Sequence, residues 1–254
     1  MRTPLCPVLV TVILAASLLT VGFTASSLQL AMAPRLSAGN STSHNWSGYA
    51  ITGTAGSVTD VKASWVVPSV TCPTRGIQYS SFWIGIDGYN SNTVEQIGTD
   101  SDCSRGTPSY YAWYEAYPRP SVVIRSLTIH AGDVMSAEVS FSGGKFSASI
   151  TDVTTNKSFA GSGIVISAQR SSAEWIAEAP SSLLGVLPLA NFKMVYFSSC
   201  SATINGVTGS IGSFGGAVVQ QIKMVNKNGA DKAVPSSLSP DGTSFSVQWV
   251  SSAP

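Results

Sequence analysis

Between residues 134 and 152 the chain alternates apolar and small polar side chains twice, around a Gly143-Gly144 pair. Met135, Ala137, Val139 and Phe141 alternate with Ser136, Glu138 and Ser140. After the glycines, Phe146, Ala148 and Ile150 alternate with Ser147, Ser149 and Thr151. Successive side chains of a strand point to opposite faces, so this pattern describes a β-hairpin with one dry and one wet face. A third alternation lies near the end of the chain, with Phe245, Val247 and Trp249 between Ser244, Ser246 and Gln248. Further strands are expected at Val61–Val67, Ser80–Ile86, Tyr110–Tyr117, Val122–His130, Ser172–Ala177, Met194–Ser198 and Val218–Val225. No pattern supports a helix of more than two turns. Many short strands without a βαβ rhythm imply an all-β sandwich or barrel.

Composition agrees. Only 11% of the 254 residues are charged, where a soluble domain usually has about a quarter. The five Glu and seven Lys leave few strong helix formers, while Ser, Thr, Gly and Val suit strands and turns. Fourteen basic and 13 acidic side chains give a net charge of +1. That balance offers no basic face for nucleic acid. A 44% hydrophobic fraction excludes a disordered chain.

Residues 1–25 have the order of parts of a secretory signal peptide: Arg2, an uncharged apolar run from Val8 to Val21, then small residues at Ala25, Ser26 and Ser27. The run is short for a membrane anchor, the other reading, which needs about 20 residues. Residues 26–44 read as a short pro-segment or disordered linker, and residues 45–254 as one domain with no internal linker. A secreted chain without stable membrane association after cleavage, and a monomer, is the expectation. Of the cysteines that follow the leader, two of three can pair in an oxidising compartment. The turn-like surroundings of Cys72 and Cys103 favour that pair and leave Cys200 a buried thiol. Three isolated cysteines and two histidines make no zinc spacing, so no metal and no cofactor is expected.

The usual hydrolase signatures are missing. There is no Gly-x-Ser-x-Gly, no His-Glu-x-x-His, no Asp-Thr-Gly or Asp-Ser-Gly, and no glycine-rich phosphate loop. His44 precedes the domain, and His130 ends a presumed strand, where a structural role is the better reading. What remains is a set of acids and amides in aromatic sequence. One segment is Ser81-Phe82-Trp83-Ile84-Gly85-Ile86-Asp87-Gly88, followed by Val94-Glu95-Gln96-Ile97-Gly98-Thr99-Asp100. The others are Tyr110-Tyr111-Ala112-Trp113-Tyr114-Glu115-Ala116-Tyr117 and Ala173-Glu174-Trp175-Ile176-Ala177-Glu178. On strands, Tyr111, Trp113, Glu115 and Tyr117 share a face, as do Glu174, Ile176 and Glu178. Each acid alone is more simply a solvated or hydrogen-bonded carboxylate. Together, aromatic walls with a few polar groups describe a binding cleft.

These segments resemble the glutamic peptidases, or eqolisins, which are secreted acid endopeptidases. The resemblance starts at Asn45-Trp46-Ser47-Gly48-Tyr49-Ala50, includes Trp65-Val66-Val67-Pro68 and Phe197-Ser198-Ser199-Cys200, and covers nearly all the remaining chain. It implies a sandwich of two antiparallel sheets, like that of concanavalin A-like lectins and glucanases, with protein and peptide substrates. It also implies a Gln–Glu dyad on the concave sheet. The family's glutamine corresponds to Gln96, and its glutamate, the second acid of the Ala-Glu-aromatic-Ile-x-Glu stretch, to Glu178. Trp83, Asp87 and Glu115 would bind substrate or support the dyad, while core packing suits Trp175 better. Two positions depart from the fungal pattern: Glu95 replaces an apolar residue and Ala116 a tryptophan. Both bear on subsites more than on the reaction, because Glu95 and Gln96 face opposite ways on a strand. A glycoside hydrolase using two of the glutamates, or a sugar-binding lectin-like module, is the alternative on such a sandwich.

Overall fold

The computed structural model describes residues 32–253 apart from 40, 164, 166 and 215–217. The segment read as a signal peptide lies outside the described residues. The described chain is all-β, a sandwich of two large antiparallel sheets.

The first sheet carries the aromatic segments. Its strands run in the order Val218–Val225, Trp46–Thr52, Ser172–Glu178, Ser81–Ile86, Val94–Ser104, Thr107–Tyr117 and Val122–Val123, each antiparallel to its neighbour. The second runs Lys157–Gly163, Lys145–Asp152, Val134–Ser142, Val58–Val66, Met194–Ile204, Phe245–Trp249 and Asp231–Pro235. Val218–Val225 joins the two at one edge. Val218 to Ile222 pair with Thr52 to Gly48, and Met224 and Val225 pair with Ala233 and Asp231.

The hairpin around Gly143-Gly144 forms with Met135 opposite Asp152 and Phe141 opposite Phe146. Met135, Ala137 and Val139 are buried, facing the first sheet, while their polar neighbours are only partly covered. The two longest strands of the first sheet are joined by Arg105-Gly106, both with positive φ (48° and 88°), the backbone a tight two-residue hairpin loop needs. The expected strand Val122–His130 shrinks to Val122–Val123. Beyond it Ile124, Leu127 and Ile129 are buried at a spacing of three and then two, which no single strand face can provide. The strand expected at Met194–Ser198 instead reaches Ile204. It crosses an irregularity at Ser199, whose φ is +52°, before pairing resumes at Ser201.

The core between the sheets contains Trp65, Phe82, Ile84, Ile97, Trp175 and Phe197. A buried indole N–H must find an acceptor. Here each of two tryptophans finds one on the opposite sheet: Trp65 Nε1 donates to Thr99 Oγ1 at 2.9 Å, and Trp175 Nε1 to the Lys62 carbonyl at 2.8 Å. These bonds fix how the layers sit, and so the shape of the outer face of the first sheet. Cys72 and Cys103 form a disulfide, and Cys200 is a buried free thiol. Among the described residues no helix is long and apolar enough to cross a membrane.

Candidate active site

Antiparallel register places the polar residues of the first sheet in rows across its outer face. Glu174, Gly85, Gln96 and Glu115 are consecutive cross-strand partners. So are Ile176, Trp83, Gly98 and Trp113, and then Glu178, Ser81, Asp100 and Tyr111. Directly opposed residues in a sheet point to the same side. All three rows therefore face one surface, with Trp46, Trp83, Trp113 and Ile176 forming its apolar floor. Trp175 and Ala177 face the core instead.

Gly98 makes the middle row possible. A Cβ there would lie 2.6 Å from Trp83 Cβ and overlap the Phe82 carbonyl. The missing side chain lets the Trp83 indole lie across the sheet, where its edge meets Trp46 with ring centroids 4.9 Å apart.

Glu178 is fully buried and held by two donors. Trp83 Nε1 donates to Oε2 at 2.8 Å, and Asn45 Nδ2 to Oε1 at 3.2 Å. Burial pushes its carboxyl well above the ordinary range. The two N–H donors act the other way, and the nearby Glu115 and Asp100 raise it further. Gln96 donates through Nε2 to Glu115 Oε2 at 2.8 Å and to the Met32 carbonyl at 2.7 Å, while its Oε1 is buried without a partner among the described residues. Burial moves Glu115 up to about 8, against hydrogen bonds from the Met32 amide and Gln96.

A second pair of acids stands at the same surface. Tyr111 Oη donates to both Asp100 Oδ2 (2.7 Å) and Asp102 Oδ2 (2.9 Å), and Trp113 Nε1 donates to Asp100 Oδ1. Burial lifts Asp100 to about 6 and, with the Asp100 charge beside it, Asp102 well above the usual range. The sequence signal for Asp100 is its place four residues after Gln96, on the same strand face. Nothing local marks it as bonded to Tyr111.

The proposed site residues do not all converge. Trp83 and Glu178 touch, and Gln96 and Glu115 touch. Asp87 stands apart: its carboxylate accepts from the Arg170 amide (2.7 Å), the Ser171 amide (2.8 Å) and the Ser171 hydroxyl (3.1 Å). With a φ of +74°, it clamps the turn leaving Ser81–Ile86 onto the residues that enter the Glu178 strand. Glu95 leaves the strand on the face opposite Gln96, and a cavity of about 330 Å³ at the edge of the two sheets is lined by Glu95, Tyr114, Val139 and Phe146 and also reaches Gln96 and Glu115. Burial first, then the charge of Asp87, pushes Glu95 up to about 9.

Residues before the domain cross this surface. Gln96 holds the carbonyl of Met32, while Trp46 Nε1 (3.0 Å) and Asn45 Nδ2 (3.2 Å) hold that of Ala33. The same Asn45 nitrogen reaches Glu178. Gln96 and Glu178 are thus linked through consecutive residues of one short segment. Among the described residues no group of three or more His, Cys, Asp and Glu is placed to hold a metal ion.

Comparison with known proteins places the chain among peptidases. The chain is 31% identical over 190 residues to aspergillopepsin-2 of Aspergillus niger, covering 65% of the chain and 66% of that relative. It is 30% identical over 221 residues to scytalidopepsin B of Scytalidium lignicola, covering 81% and 78%. Among solved structures, scytalido-glutamic peptidase with a transition state analog inhibitor superposes with a TM-score of 0.69 at 27% identity, over 82% of this chain and 98% of the other. Aspergilloglutamic peptidase from Aspergillus niger superposes with a TM-score of 0.59 at 28% identity, over 68% and 99%. The profile of the Peptidase A4 family matches residues 44–249, and the chain belongs to that family of peptide-bond hydrolases, the glutamic peptidases.

Proposed function

We propose that the protein is a secreted acid endopeptidase in which Gln96 and Glu178 form the catalytic pair. The observation that carries this reading is the shared face. An amide donor and a buried carboxyl stand on strands separated by one other; Gln96 donates to the Met32 carbonyl, and Asn45 joins Glu178 to the Ala33 carbonyl next to it.

Peptide hydrolysis needs an activated water, a stabilised oxyanion and a proton for the leaving amine. Glu178 as carboxylate removes a proton from water as the oxygen adds to the carbonyl carbon. The Gln96 Nε2–H donates to the resulting oxyanion. The carboxylic acid then gives its proton to the leaving nitrogen as the C–N bond breaks, which returns Glu178 to its starting state. A positioned acid–base group contributes about 10²–10⁴-fold, and an oxyanion donor about 10²–10³-fold. Glu115 holds the Gln96 amide by accepting from Nε2. Trp83 and Asn45 donate to both oxygens of Glu178 and so favour the carboxylate the first step requires. Desolvation opposes that form while Met32 and Ala33 cover the site, and substrate entry from an open groove begins with Glu178 better hydrated.

An acidic working range fits Asp100, Glu115 and Glu95, which a dry interior tolerates as neutral carboxyls, while Glu178 ionises for the first step with the help of its two N–H donors. Peptide ligands fit the relatives, of which one structure holds a peptide-based transition state analog. Secretion rests on the leader sequence and on the disulfide, which an oxidising compartment maintains. Incubation with a protein and with a β-glucan from about pH 2 to about pH 7, a range that brackets carboxyl titration, tests the reading. Protein fragments in the acid half support it, whereas sugar release without protein cleavage overturns it.

A further inference from the structure

At one edge of the sandwich the two sheets stop filling the space between them. On the first sheet, Ala173, Ile86, Glu95 and Ala116 are consecutive cross-strand partners and so point to the same side. That side is the inner one, since Ala173 and Ile86 pack in the core. On the second sheet, Val139, Ala148 and Gly161 are consecutive partners, and Phe146 is paired with Gly163. Both sheets thus run out into small residues towards the edge. A Cβ added to Gly163 would meet no atom within 4 Å. The cavity of about 330 Å³ lies where these rows end. Cavities of about 150 Å³ already admit a ligand the size of benzene.

The polar groups of this cavity are few and separated. Arg119, Pro120, Val122 and Ser162 form an exposed rim, while Val139 and Phe146 are buried apolar walls. Glu95 is 3% exposed, and both its carboxyl oxygens are buried without a hydrogen-bond partner among the described residues. Of the groups around it, its own main-chain N–H favours the charged form and Asp87 opposes it. A carboxyl so placed is neutral in acid, with one O–H donor and one free acceptor. Glu95 and Ala116 are also the two positions at which the sequence departs from the fungal pattern. The structure sets them directly opposite each other, so one change supplies an acid and the other removes the bulk beside it.

We propose that this cavity binds a medium-chain fatty acid in its uncharged form, the carboxyl head paired with Glu95 and the hydrocarbon lying between Tyr114, Val139 and Phe146. The site is separate from the peptide groove and does not depend on Gln96 and Glu178 being catalytic. A carboxylic acid fits because its carbonyl accepts from the Glu95 O–H while its own O–H donates to the Glu95 carbonyl. An alkane would leave both Glu95 oxygens unpaired. An ammonium head would require Glu95 to ionise in a dry cavity next to Asp87, and the Arg119 guanidinium at the rim would repel it.

Calorimetric titration of the full chain with octanoic acid and with octylamine, at about pH 3 where ordinary carboxyls are protonated, tests this. Glu178→Gln protein is used so that no digestion accompanies binding. Octanoic acid should bind once per chain with a Kd of about 0.1–1 mM, a modest affinity for about ten non-hydrogen atoms, and octylamine should not bind. Glu95→Leu should weaken octanoic acid about tenfold, because the ligand's head is then buried unpaired. Ala116→Trp and Ala148→Leu fill the cavity from opposite sheets, and each should weaken binding at least tenfold. Thermal melts identify which filling variant folds, and Ala148→Leu, which adds less bulk, decides if Ala116→Trp does not. Absence of binding by the folded protein would overturn the proposal. Equal affinity for the amine, undiminished binding in Glu95→Leu, or undiminished binding in a folded filling variant would do so too, while leaving the catalytic reading untouched.

Discussion

The indole nitrogen of Trp83 lies 2.8 Å from Oε2 of Glu178, so the aromatic floor of the groove is also a hydrogen-bond donor to its central carboxyl. Trp83→Phe keeps most of the packing and removes the donor. A hydrogen bond to a charged group is worth about 1.5–3 kcal/mol, so kcat/KM should fall roughly 10- to 100-fold. The N–H favours the carboxylate. Its loss should therefore move the rising, low-pH limb of kcat/KM to higher pH, and a pH–rate profile of the two proteins checks both effects.

In the proposed mechanism Glu115 acts through Gln96, whose amide it holds at 2.8 Å. Glu115→Ala should leave the Gln96 donor free to rotate and lower kcat more than it raises KM. Gln96→Ala removes the donor itself and should cost about 10²–10³ in kcat. Because both act on one hydrogen bond, the double variant should be little worse than Gln96→Ala alone, and steady-state kinetics on the four proteins measures the coupling.

Stability should be greatest in acid. Asp100, Glu115 and Glu95 have folded-state values raised to about 6, 8 and 9, above those of an unfolded chain. Below about pH 4 these groups are protonated in both states, and their contribution is fully present. As pH rises, the unfolded chain releases its protons first, so stability falls progressively until the folded values are passed. Thermal melts of Glu178→Gln, which avoids self-digestion, should show the midpoint dropping from about pH 4 to about pH 9. Glu95→Gln should flatten the last part of that fall, because its neutral amide does not titrate.

Gly98→Ala places a methyl 2.6 Å from Trp83 Cβ and against the Phe82 backbone carbonyl. Overpacking of this kind costs about 1–3 kcal/mol. Its effect should exceed that of Gly132→Ser, where open space surrounds the added atom and only the positive φ of +93° resists. Denaturant midpoints of the two variants compare them.

Where burial differs between the two faces of a strand, the sequence displays it. Val134–Ser142, Lys145–Asp152 and Phe245–Trp249 alternate because one face meets the core and the other is less covered. Val94–Ser104 does not, because ten of its eleven residues are buried, among them the neighbours Ile97 in the core and Gln96 against Met32 and Glu115. Period two does put Glu174, Ile176 and Glu178 on one face and Trp175 on the other, as the structure has them. Pairing across strands is not local. The approach of Asn45 to Glu178, separated by 133 positions, and the Tyr111 bridge between Asp100 and Asp102 depend on register that no short stretch encodes. The seating of Met32 and Ala33 is hidden for a further reason: a short stretch without periodicity gives no sign of the acceptors its backbone offers.

The central claim is that Glu178 supplies the acid–base chemistry, and Glu178→Gln changes one group of that side chain while nearly preserving its shape. The direct measurement is kcat/KM of the purified variant on a peptide substrate in acid, with near-ultraviolet circular dichroism confirming native aromatic packing. The account predicts a native spectrum and no cleavage above background. A native spectrum with wild-type turnover would contradict it.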